Sequence, residues 1–111
     1  MKYLSQEQID KIRKDPNIQD WDDICYSQIL LEDFIREFQN YVDWYYISYS
    51  QVLSEDFIRE FQNKVHWNYI SWRQKLSIEF ITEFADKIDF NITLRNDKMS
   101  EEIKDYCRMF I

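Results

Sequence analysis

An aromatic residue recurs at a fixed interval of 23 residues, at Trp21, Trp44, Trp67 and Phe90, and much of the intervening sequence recurs with it. Aligned on these rings, the chain divides into full units at 21–43, 44–66 and 67–89, with a degenerate unit at 90–111 and a leading segment at 1–20. The first two units are identical at 16 of 23 positions, including the unbroken run Glu-Asp-Phe-Ile-Arg-Glu-Phe-Gln-Asn. The third keeps Trp67, Ile70, Ser71, Gln74, Leu76, Ser77, Phe80, Ile81 and Phe84. A period of this length marks a stack of small supersecondary units, none of which buries its apolar face alone. All 111 residues are therefore expected to form a single repeat domain.

Composition narrows what each unit can be. The chain has no glycine, and Pro16 is its one proline. Without glycine there is no low-cost route to positive φ, which disfavours primed hairpin turns and phosphate-cradling loops. Helices joined by short turns remain. The expected fold is all-α: a short α-solenoid, of the right-handed type, built from helix-turn-helix repeats. A strand–helix solenoid resembling leucine-rich repeats stays open as the alternative, because Tyr, Ile and Trp across Asp43–Tyr49 also suit a strand.

Within a unit, Ser54 and Ser77 precede acidic or apolar runs and read as N-caps, with Glu55 and Asp56 complementing the helix dipole. Leu53, Phe57, Ile58, Phe61 and Val65 fall on one stripe, which predicts a second helix of about three turns. Glu55 and Arg59 are spaced as an i,i+4 pair on its outer side. In the first half, Asp20 and Asp43 are placed to cap a helix, and Trp44, Ile47, Ser48 and Gln51 share its inner face. Leu31 stands where the other units have serine, so that unit is expected to lack a side-chain cap at a cost of about 1 kcal/mol. The ends read as modified units, with Ile9 and Ile12 facing inward before Asp15-Pro16-Asn17 breaks the first helix. Another capped helix follows Ser100, with Tyr106 and Cys107 near its inner stripe.

The pattern Trp-x-x-Ile-Ser-x-x-Gln-x-Leu-Ser-Glu-Asp-Phe-Ile-Arg-Glu-Phe-x-x-Lys-Val, carried by Trp44 to Val65, resembles short tandem repeats of uncharacterised proteins from giant DNA viruses and bacteriophages. The resemblance implies a scaffold without assigned catalytic residues. It also implies a small, acidic viral or phage protein inhibiting a host defence factor, in the manner of an anti-CRISPR.

Chemistry is sparse. Asp and Glu outnumber Lys and Arg by 21 to 14, a net charge of −7 that repels phosphate backbones, so direct nucleic-acid binding is not expected. His66 is the only histidine and occupies the position of Asp43 and Asp89, which marks it as a capping or turn residue. With no second histidine, no cysteine pair and no Gly-rich loop, neither a metal nor a cofactor is expected, and no catalytic constellation is visible. Cys25 and Cys107 read as reduced, partly buried thiols. The start of the chain lacks a signal-peptide pattern and no apolar run approaches membrane length, so a soluble, cytoplasmic protein is expected, in the host cell if viral.

Two features are expected to contact a host protein. Tyr26, Tyr45, Tyr46, Tyr49, Tyr69 and Trp72 fall on the outer sides of successive first helices, where they either form a binding stripe or fill the grooves between units. Asp33 and Glu37, Asp56 and Glu60, and Glu79 and Glu83 make like-charge i,i+4 pairs on the second helices. That row suits either solubility or mimicry of a phosphate backbone directed at a basic nucleic-acid-binding surface. The chain is expected to be monomeric or weakly self-associating, and a structural role through its ends or a small-molecule pocket at the aromatic row remain as rivals.

Overall fold

The computed structural model describes residues 1–111 and is all-α, with nine α-helices. The leading segment forms β1 (Lys2–Tyr3), α1 (Gln6–Lys14) and a 3-10 turn at Pro16–Ile18. The units follow as α2 (Trp21–Ser27), β2 (Gln28–Ile29) and α3 (Glu32–Glu37), then α4 (Trp44–Ser50) and α5 (Glu55–Glu60), then α6 (Trp67–Arg73) and α7 (Ile78–Glu83). The last unit contributes α8 (Phe90–Thr93) and α9 (Glu101–Arg108). The segment Asp43–Tyr49 is thus helical from Trp44 onward, not a strand. The one sheet is a two-residue parallel pairing of β1 with β2, which lies between the halves of the first unit.

Each first helix begins where an aspartate turns its side chain onto the backbone: Asp20 accepts from Asp23 N–H, Asp43 from Tyr45 N–H and Asp89 from Ile92 N–H. His66 holds the equivalent place before α6 without a side-chain cap bond. The second helices are shorter than the three turns their apolar stripe predicts. Residues Glu55–Glu60 are helical, and Phe61, at φ −109° and ψ 28°, leaves the helical region. Turn bonds from Lys64 N–H and Val65 N–H to the Phe61 carbonyl then carry Val65 into the core. No residue has positive φ, so a glycine-free chain ends these helices at a phenylalanine in the bridge region instead of a left-handed cap. Leu31 has no side-chain cap bond, as its apolar side chain requires.

The repeated tryptophan ties its own helix to the preceding turn. Its indole N–H donates to the carbonyl five residues back: Trp21 to Pro16 at 2.8 Å, Trp44 to Gln39 at 3.0 Å and Trp67 to Gln62 at 3.0 Å. The ring packs on two phenylalanines of the same unit, with Trp44 centred 5.1 Å from Phe61 and 6.2 Å from Phe57. Phe90 keeps the ring but not the donor, and stacks on Phe110 at 4.8 Å.

Units are joined by buried amides. Gln51 Nε2 donates to the carbonyls of Cys25 and Gln28, and its Oε1 accepts from Leu30 N–H. Gln74 repeats this one unit later, donating to Ser48 and Gln51 and accepting from Leu53 N–H. Asn96 donates to Ser71 and Gln74. The backbone at these glutamines is extended (Gln51 at φ −94°, ψ 147°), so its polar groups point toward the neighbouring unit, where a strand would otherwise be needed. First helices pack in sequence, α2 on α4, α4 on α6 and α6 on α8. The resulting stack measures 49 × 25 × 18 Å. Its radius of gyration of 15.3 Å exceeds the roughly 13 Å of a compact chain of this length.

Replacing Gln74 with leucine strands two carbonyls and one N–H inside the protein, at about 1–3 kcal/mol each. Urea unfolding is expected to show Gln74→Leu losing at least about 3 kcal/mol. Gln28→Leu, at the same repeat position but with no preceding unit to bridge, is expected to stay within about 0.5 kcal/mol of the parent.

Candidate functional site

The outer sides of α2, α4 and α6 bring all six aromatic residues singled out in the sequence into one contact network. Tyr26 meets Tyr46 edge-on at 5.7 Å, and Tyr46 meets Tyr45 at the same distance. Tyr45 lies 4.5 Å from Tyr69, with the two hydroxyls hydrogen-bonded across the unit boundary. Tyr69 contacts Tyr49 at 5.3 Å and stacks near Trp72 at 6.0 Å. Burial divides their roles. Tyr46 packs partly buried against the core, whereas Tyr26, Tyr45 and Trp72 stay exposed, at 56%, 46% and 38%. The row both fills the grooves between units and presents ring surface to solvent. Its bond with Tyr45, followed by burial, holds the Tyr69 hydroxyl above its ordinary pKa.

An open cleft of about 420 Å³ lies at one end of the row, lined by Tyr45, His66, Asn68, Tyr69, Trp72, Ile92 and Arg95. His66 packs its imidazole 5.2 Å from Tyr45 and 4.9 Å from Tyr69. The Arg73 guanidinium lies 4.5 Å from the centre of the Tyr49 ring and 5.7 Å from that of Trp72. His66, Arg73 and Arg95 did not stand out as binding residues in the sequence. The available signal was departure from the repeat: Arg73 is in register with Ser50, Arg95 with Trp72, and His66 with two aspartates. The other end of the row is acidic. There the Asp22 pKa is raised from its ordinary value, first by a hydrogen bond with Asp43, then by partial desolvation and by the charges of Asp43 and Asp20.

The acidic row is largely paired off. Arg13 forks onto Glu37 and Arg36 onto Glu60, and Arg59 donates from Nε to both oxygens of Glu83, each reaching 24 residues along the chain into the next second helix. Asp33 and Asp56 are held by the same arginines at i,i+3. Of the six carboxylates singled out, Glu79 alone has no ion pair. The expected Glu55–Arg59 pair does not form: Glu55 accepts instead from the N–H and hydroxyl of Ser77, and Glu32 binds Ser54 in the same way. Stacking brings these closer partners within reach, and they displace the local pair.

Cys25 and Cys107 are unpaired and fully buried. Cys25 replaces the serine of the later units. Ser48 accepts from His66 N–H at 2.9 Å, and the Cys25 sulfur accepts from Asp43 N–H at 3.4 Å. Burial pushes the Cys25 thiol up to about 11. No group of three or more His, Cys, Asp or Glu side chains is placed to hold a metal ion. No helix is long and apolar enough to cross a membrane. The chain matches no protein-family model, no curated protein and no solved structure.

Two measurements follow from these contacts. Arg13, chiefly by its hydrogen bond, lowers the Glu37 pKa, so this pair contributes stability above the ordinary carboxylate pKa and loses it as pH falls through the folded value. Glu37→Gln is expected to cost less than about 1 kcal/mol at neutral pH, since the pair is exposed, and to make acid unfolding less steep in a urea–pH series. Cys25→Ser places a hydroxyl where Ser48 and Ser71 already work. It is expected to change stability by less than about 1 kcal/mol, with the parent's thiols reacting with a thiol reagent only after unfolding.

Proposed function

We propose that this protein is a non-enzymatic, protein-binding repeat module that captures a host protein on its aromatic face and acts by steric occlusion. The observation that carries this reading is the continuous row from Tyr26 to Trp72, in which Tyr26, Tyr45 and Trp72 stay exposed and Tyr46, Tyr49 and Tyr69 are half-buried between units of a helical scaffold. Tyr, Trp and Arg dominate binding hot spots because they offer large contact areas at small rotamer-entropy cost. The repeat's resemblance to viral and phage proteins makes inhibition of a host defence protein, in the host cytoplasm, the role this proposal assigns. Mimicry of DNA by the acidic row is the weaker reading, because arginines of the same chain occupy most of those carboxylates.

The test is capture from host lysate on immobilised protein, compared with a variant carrying Tyr45→Ala, Tyr49→Ala and Trp72→Ala. With hot-spot truncations at about 2 kcal/mol each, the triple variant is expected to bind its partner at least about a hundredfold more weakly. Its helical circular dichroism signal should be retained. A folded triple variant that captures the same partner with unchanged affinity overturns the reading.

A further inference from the structure

The chain has six arginines, and four of them, Arg13, Arg36, Arg59 and Arg108, are in ion pairs with its own carboxylates. Arg73 and Arg95 are in none. With 21 acidic residues available, this is not for lack of carboxylates. Both exceptions lie on the aromatic face. Arg73 lies over Tyr49 and beside Trp72, and its Nε is buried without a hydrogen-bond partner. Arg95 is exposed at the cleft beside Tyr69 and Trp72. A guanidinium over aromatic rings keeps its charge and its outer N–H groups available to an incoming acceptor.

Charge also sets the position of that acceptor along the row. Asp22 and Asp23 are exposed near the Tyr26 end and Asp43 lies beside Asp22, so a carboxylate is repelled there and attracted at Arg73 and Arg95. The protein's overall charge of −7 opposes any anion and a polyanion most, so the fitting acceptor is a short acidic stretch held locally by the two arginines.

We propose, building on the protein-binding reading above, that this cleft and the neighbouring ring surface that carries Arg73 together seat an extended acidic segment of a partner protein. Its carboxylates pair with Arg73 and Arg95, and its apolar or proline residues lie on Tyr45, Tyr69 and Trp72. Paired guanidinium–carboxylate hydrogen bonds supply direction, and the rings supply area.

The experiment uses the full chain, isotope-labelled, titrated with three probes. These are a blocked peptide of glutamate, proline and tyrosine, the same peptide with lysine for glutamate, and ATP. The glutamate peptide is expected to shift the amide signals of Asn68, Tyr69, Trp72, Arg73 and Arg95, and to bind more weakly as salt is added. Arg95→Glu, at an exposed position, is expected to weaken it at least about tenfold, and Arg73→Glu with Arg95→Glu to turn the preference toward the lysine peptide. The proposal is overturned by any of four results: equal response to the lysine peptide, shifts centred on Asp22 and Tyr26, preference for ATP, or no binding at millimolar peptide. Partner capture that is lost in the aromatic triple variant but unchanged in Arg95→Glu removes the acidic-segment proposal and leaves the protein-binding reading standing. Capture unchanged in both removes the two together.

Discussion

A buried side-chain amide between neighbouring units is the contact on which this architecture depends. Each unit contains an extended step between its two helices, and extended backbone exposes carbonyls and N–H groups that must find partners once buried. A sheet would pair them with another strand. Here Gln51 and Gln74 each satisfy two carbonyls and one N–H of the unit before, from a side chain that is itself almost fully buried. Asn96 does part of the same work with a side chain one methylene shorter, from a residue one place earlier in the repeat frame. A glutamine at this position therefore defines both the spacing and the register of the stack.

The absence of glycine shapes everything around that contact. Helices cannot close on left-handed caps, so they stop within two turns at a phenylalanine and turn back on hydrogen bonds to its carbonyl. The tryptophan N–H then takes up a carbonyl of that turn, and the indole covers the same phenylalanines. On the outer side, arginine-to-glutamate pairs 24 residues apart link successive second helices. Such exposed pairs are individually weak, but they recur at three successive interfaces, and Thr82 and Tyr106 take the equivalent place at the last.

Units differ in both halves, and the differences in the first half include those of the aromatic face. Along the outer positions of the first helices the chain passes from Asp22, Asp23 and Tyr26, through a cluster of tyrosines, to Trp72 and Arg73, with Arg95 just past the end of α8. The face therefore changes from acidic to aromatic to basic along its length, while the packing beneath it stays constant.

Much of this was legible in the chain before any coordinates. Periodicity dictated the unit boundaries, the inward Trp, Ile, Leu and Phe positions and the aspartate and serine caps, because burial and capping follow local spacing. The aromatic row could also be placed, since residues at equivalent repeat positions must align when units stack. Only the tertiary structure decided which partner each polar group takes. Glu55 reaches Ser77 and Arg59 reaches Glu83, beyond any i,i+4 rule, and Gln51 faces the core because it carries the neighbour's hydrogen bonds. The two arginines without carboxylate partners emerge the same way. Whether a charge is spent within the fold or left for something else depends on distances between units, and the linear sequence does not contain them.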